Sequence, residues 1–183
     1  MELLQQAPPS RPLLAFGNDR DWILTEDMVY VIGKTNTAIV VPAGFVTDLA
    51  SIPQALWSTG LTPTGQYGRA AIVHDYLYWS QKCTRTQADR LLLIAMKESA
   101  VSGIDEGAIY DAVHLFGDSA WKADANDRAH GFPRALPLNR REPPDPNMSW
   151  PAYQKQLMAA GVKDEPVSDD GSYCHYGDST NVP

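Results

Sequence analysis

The sequence predicts an α+β fold: a small antiparallel sheet in the N-terminal third, packed against about three helices, with an irregular Pro-rich tail behind them. Three observations predict it. Short β-branched and aromatic runs bounded by Gly, Asn and Asp occupy residues 13 to 46, longer apolar-periodic segments occupy 68 to 122, and aliphatic content falls after Phe132. A chain of 183 residues can bury one real core and is too short for two comfortable domains. The reading is therefore an N-terminal extension at 1–12, a single domain at 13–132, and a tail at 133–183 that wraps the surface or stays disordered, adds little to the core and should be dispensable for folding.

The strands are Leu13 to Phe16, Trp22 to Leu24, Met28 to Ile32 and Ala38 to Val41, joined as a meander through Gly17-Asn18-Asp19-Arg20 and Gly33-Lys34-Thr35-Asn36. Pro42 ends the last of them, because it has no N–H to give a ladder. From Pro42 to Gly68 the chain is rich in proline and glycine and reads as ordered irregular structure with short helical turns. The first helix, from about Gly68 to Ser80, is apolar on opposite faces and should be buried. Thr84 can cap the second helix, with Gln87 completing a capping box, and that helix should end near Gly103. A third, from about Asp105 to Lys122, spaces Ile109, Ala112, Val113 and Phe116 as a buried stripe. In the tail, which holds eight of the fourteen prolines, only Pro151 to Ala160 reads as helix, with Ser149 as its cap.

Composition narrows the function. Apolar residues make up 44% and charged residues 20%, as in ordinary folded proteins. A net charge of −7, from 15 basic and 22 acidic residues, argues against a dedicated nucleic-acid binder, which needs clustered Lys and Arg for phosphates. The two cysteines, Cys83 and Cys174, form no disulfide framework and match no zinc ribbon, so they read as free thiols in a reducing compartment. No apolar run approaches the ~20 residues that span a bilayer, and the N-terminus lacks the order of a signal peptide.

The chemistry-bearing residues begin with His74 and Asp75, in the middle of the buried helix. A buried carboxylate must find a cation, a metal or donors, since leaving it unpaired costs several kcal/mol. The simplest role for the pair is structural, tying the helix to its surroundings. Thr47, Asp48 and Ser51 follow the last strand, in the loop position where scaffolds mount functional groups, although Asp48 can equally cap a turn. Asp89 lies early in the second helix. A short link returns that helix alongside the first, which brings Asp89 to about the level of Asp75 or Tyr76. Asp48, His74, Asp75 and Asp89 are thus expected to form one cluster, with Tyr110, His114 and Trp121 of the third helix lining its wall.

Four segments, GFVTDLASIP, AIVHDYLY, RTQADRLLLIAM and YDAVHLFGDSAW, resemble in order and spacing the motifs of domain of unknown function 1353, a family found mainly in bacteriophages and prophages. The resemblance covers roughly Trp22 to Trp121 and carries over to Asp48, Ser51, His74, Asp75, Asp89 and Tyr110. It implies a phage origin and no particular reaction. The expected function is a hydrolase with His74, Asp75, Asp48 and Ser51 as catalytic residues. It would be metal-assisted if Asp48, His74, Asp75 and Asp89 hold zinc, manganese or calcium. The alternative is a non-enzymatic virion or tail-assembly component whose polar cluster is structural. Expected partners are other phage proteins or a host envelope or defence target. Expected locations are the host cytoplasm on synthesis and, for the assembly reading, the virion.

Overall fold

The structure is a computed structural model and describes residues 13–17, 21–49, 67–99 and 103–183. Its architecture is the expected α+β mixture, with the strands first and the helices after them. Strand β1 (Leu13–Ala15) pairs antiparallel with β2 (Trp22–Leu24), and β3 (Met28–Val31) with β4 (Ala38–Val41). Among the described residues, the expected single meander is instead two sheets. The free edge of β2 is taken by β5 (Val46–Thr47), in the register Ile23↔Val46, so β3 is left to pair with β4 alone. Period-two alternation holds in the hairpin: Met28, Ile39 and Val41 point into the core while Val29, Val31 and Val40 are exposed.

Helix α1 (Tyr67–Ser80) is the centre of the fold. Twelve of its residues are buried, leaving only Arg69 exposed and Ser80 half-buried, as its all-round apolar sequence predicts. Helix α2 (Arg85–Glu98) opens on the expected capping box: Thr84 accepts from the Gln87 N–H, and the Gln87 side chain accepts from the Thr84 N–H. It stops at Glu98, short of Gly103. Helix α3 runs Gly103–Ala129, seven residues beyond Lys122, and its inward face is rotated from the expected stripe. Ile109 and Gly117 are buried, whereas Phe116 is 72% exposed. The expectation for Phe116 fails because the surface facing α1 admits a glycine, and Phe116 stands about 100° away from it around the helix.

The tail departs furthest from the sequence reading. Residues 134–136 return to the sheet, where Val46 N–H donates to Arg134 O at 2.9 Å and Leu136 N–H to Gly44 O at 2.8 Å. Helix α4 (Trp150–Ala159) buries Trp150, Tyr153 and Leu157 against Phe16, Ile23, Val46 and Leu136, making a second apolar cluster on the outer side of the sheet. Ser149 stands at its N-cap position without a side-chain cap bond. Acidic tail residues satisfy polar tips of α1: Trp79 Nε1 donates to Asp164 at 2.7 Å and the Tyr76 hydroxyl to Asp169 at 2.9 Å. Cys83 and Cys174, expected as free thiols, are bonded to each other across a separation of 91 residues. Spacing alone could not reveal that pair, because it depends on a 3-10 turn (Ser172–Asp178) folding back onto α2. The extension at 1–12, Ser51 and the loop turns expected beyond Leu49 lie outside the described residues.

The segment expected to add little to the core therefore supplies Ala135, Leu136, Trp150, Tyr153, Leu157 and Tyr173 to it. Trp150→Ala should cost ~3–5 kcal/mol, and removal of residues 134–183 should abolish cooperative unfolding. Urea titration checks both. A truncated chain with a midpoint close to that of the full chain would restore the dispensable tail.

Candidate functional site

Asp89 is wholly buried, and a carboxylate there must replace every hydrogen bond that water would have given it. Four donors do so. Oδ1 accepts from the Tyr78 hydroxyl at 2.6 Å and from His74 Nε2 at 3.2 Å, while Oδ2 accepts from Arg85 Nη1 at 3.1 Å and from His114 Nδ1 at 3.3 Å. Three of the four donors come from a predictable register. His74 and Tyr78 are one turn apart on α1, and Arg85 precedes Asp89 by one turn on α2. His114 reaches in from the middle of α3. Arg85 Nη1 also donates to His114 O at 3.0 Å, fixing the distance between α2 and α3.

Burial on its own would raise the Asp89 pKa. The hydrogen bonds from His74 and Tyr78, with the charges of His74 and Arg85, outweigh it and hold the carboxyl below its ordinary 3.8. The Tyr78 hydroxyl is pushed strongly upward, by burial first and then by its bond to Asp89, so it remains a neutral donor. The site also has an open side. The His74 side chain is 5% exposed and the His114 side chain 42%, so of the two imidazoles on this carboxylate His114 is the one in contact with solvent. Tyr110 stacks on His114 with its ring centroid 5.6 Å away, and Trp121 meets Tyr78 edge-on at 5.1 Å.

Asp48 and Asp75 take different partners. Asp75, turned about 100° from His74 around α1, accepts from Thr47 Oγ1 at 2.5 Å, and the same oxygen of Thr47 accepts from the Leu49 N–H at 3.0 Å. Leu49 has a left-handed φ of 61°, which turns the chain sharply just after Asp48. Asp48 lies 3.6 Å from Arg134, whose guanidinium also bonds Asp124 at 2.9 Å and Val46 O at 2.8 Å and packs over Phe45 and Trp79. Although burial works to lower it, the carboxylates of Asp124, Asp48 and Asp75 raise the Arg134 pKa further, so this guanidinium is a fixed charge.

The structure thus brings His74, Asp89 and His114 together and sets Asp48 and Asp75 in the Thr47–Arg134 network. Among the described residues, no three His, Cys, Asp or Glu side chains converge as metal ligands. Sequence reasoning assigned His114 to the wall, whereas it bonds Asp89 itself. It missed Tyr78, Arg85 and Gly117, although the i, i+4 spacings His74–Tyr78 and Arg85–Asp89 were signals for two of these.

Gly117 is where α3 touches the site. A Cβ there would stand 2.3 Å from the Tyr78 hydroxyl. Ala is the better helix former by ~1 kcal/mol, but the displaced phenol must leave Asp89. Gly117→Ala should therefore be net destabilising, by ~1–3 kcal/mol in chemical unfolding; a neutral or stabilising result would show that Tyr78 can move freely. Asp89 predicts an acid limb. Its folded pKa lies below its unfolded value, so its contribution is complete above about pH 3.8 and is lost as pH falls through the folded pKa. Asp89→Asn should cost about 3 kcal/mol at neutral pH and flatten that limb, as measured by unfolding from pH 2 to 6. An unchanged limb would mean the carboxylate is not charged in the folded state.

Comparison with known proteins adds the following. The family model described as "Protein of unknown function (DUF1353)" matches residues 22–113, a span that includes Asp48, His74, Asp75, Asp89 and Tyr110 and stops one residue short of His114. A relative from Sinorhizobium fredii, "Uncharacterized protein y4jT", is 36% identical over 78 residues, which is 42% of this chain. The matched span is 23% of that relative's length. No solved structure matches the chain. With half of its length matched by one family model, this chain belongs to the DUF1353 family.

Proposed function

We propose that the chain is a hydrolase in which His114 is the general base and Asp89 orients it. The observation that supports this reading most is a 42% exposed imidazole whose Nδ1 bonds a wholly buried, ionised carboxylate. Asp89 accepts at Nδ1, which favours the tautomer with its proton there and leaves the lone pair on Nε2. Nε2 can take a proton from water as that water attacks an ester, amide or phosphoester centre, and can return it to the leaving group. The imidazolium formed between those steps gains the Asp89 charge as its partner. Tyr78, Arg85 and His74 keep Asp89 ionised and immobile, so the base is held in one orientation without reorganisation. His74, the base expected from sequence, is in this reading a positioning residue, because it is buried and its Nε2 is bonded to Asp89.

The wider setting proposed with it is phage or prophage, supported by the order and spacing of the four motifs. A second reading, a non-enzymatic virion or assembly component, draws on the complete saturation of Asp89 by donors, which is what a purely structural node also requires.

The test is turnover on a panel of chromogenic carboxylic ester, phosphoester, glycoside and peptide substrates, for the wild type and His114→Gln. The hydrolase reading expects a ~10²–10⁴-fold loss of kcat with an unfolding midpoint close to that of the wild type, because a glutamine amide can still donate to Asp89 but has no basic nitrogen. Full activity in His114→Gln would overturn it. Wild-type inactivity across the panel would favour the assembly reading. Elemental analysis of the same preparation tests the metal-assisted form: a stoichiometric divalent metal would support it, and an active metal-free chain would remove it.

A further inference from the structure

The C-terminal strap, residues 172–180, is fastened along the helix that carries Asp89. Along α2, Gln87 Nε2 donates to Asp178 Oδ1 at 2.9 Å, Arg90 Nη1 to Asp178 O at 2.9 Å, and Lys97 Nζ to Thr180 O at 2.6 Å. Gly177 lies so close that a Cβ there would stand 2.5 Å from Gln87 O. Gln87 is also the reciprocal member of the Thr84 capping box, so the strap grips the residue that closes the first turn of α2. The Cys83–Cys174 bond joins the strap one residue before that cap. Arg85 and Asp89 follow within about a turn and a half.

We propose that closure of Cys83–Cys174 is a one-time redox lock: the chain completes its fold only in an oxidising compartment, where the bond pins the strap and fixes the turn of α2 that bears Arg85 and Asp89. In a glutathione- or thioredoxin-reduced cytoplasm the two thiols stay open. In an oxidising compartment, one thiolate attacks a disulfide-bearing oxidant such as glutathione disulfide and releases one glutathione thiolate; the other thiolate then attacks the cysteine sulfur of the mixed disulfide and releases the second. Two protons and two electrons leave the cysteines, and the oxidant is reduced to two thiols. Once closed the bond is shielded, since Cys83 and Cys174 are 5% and 9% exposed, and a reducing dithiol reaches neither sulfur until the strap lifts. That makes the device a lock and not a toggle. Synthesis in a reducing cytoplasm followed by action outside it fits this chemistry.

The inference rests on where Asp89 sits in α2 and not on catalysis at His114, so its test reads structure and not turnover. The full chain, purified reduced, is treated with glutathione disulfide and followed by amide hydrogen exchange in peptides covering 84–89 and 172–178. The double variant Cys83→Ser/Cys174→Ser receives the same treatment. Oxidation should close the bond and slow exchange in both segments about tenfold, while the variant should keep the rates of the reduced chain whatever the oxidant. Three results would each overturn the proposal: no bond under the oxidant, a bond with unchanged exchange at 84–89, or a variant that exchanges as slowly as the oxidised chain. Should the variant fail to fold, the reduced and oxidised wild-type chains remain the deciding comparison.

Discussion

A charged carboxylate placed in a sealed helical core imposes the constraint around which this structure is arranged. Leaving Asp89 unpaired would cost several kcal/mol, a large part of the stability of an ordinary domain. The cost is offset by donors drawn from three different helices, and each donor fixes a geometric relation. His74 and Tyr78 fix α1 against α2. His114 fixes α3 against both, and the second bond of Arg85, to the His114 carbonyl, sets the depth at which α3 lies. Gly117 follows from the same constraint, because the phenol of Tyr78 can reach Asp89 only where α3 presents no Cβ. Saturation makes the carboxylate immobile, and immobility is what an orienting group for a solvent-facing imidazole needs.

On the other side of α1 a second network does different work. Arg134 gathers Asp48 and Asp124 and caps the backbone of β5, which joins the end of the sheet to the chain beyond α3. Thr47 links this network to Asp75. One helix thus carries adjacent polar residues, His74 and Asp75, that serve two separate nodes about 100° apart. The pair reads as a unit in sequence and acts as two contacts in space.

Much of the framework was legible in the residues. The buried character of α1, the capping box at Thr84 and Gln87, and the return of Asp89 alongside α1 all follow from local pattern and short-link geometry. What was not legible depended on contacts distant in sequence. The tail looked dispensable because its apolar residues, Trp150, Tyr153 and Leu157, are few and scattered among prolines, and composition does not reveal that Phe16 and Ile23 need cover. The Cys83–Cys174 bond was invisible for the same reason. The sequence leaves the place of Phe116 open because the periodicity of α3 fits more than one face, and only the contact with Tyr78 chooses Gly117. The sequence does not mark His114 as a partner of Asp89, because nothing local distinguishes it from any half-exposed histidine.

In the proposed reaction Asp89 fixes the protonation site of the exposed His114 imidazole. The most direct test is the ¹⁵N chemical shifts of the His114 ring in the wild type and in Asp89→Asn, at a pH where the ring is neutral. The wild-type ring should carry its proton on Nδ1, and Asp89→Asn should release it toward the tautomer mixture of a free histidine. A wild-type ring protonated on Nε2, or one averaging as freely as an exposed histidine, would contradict it.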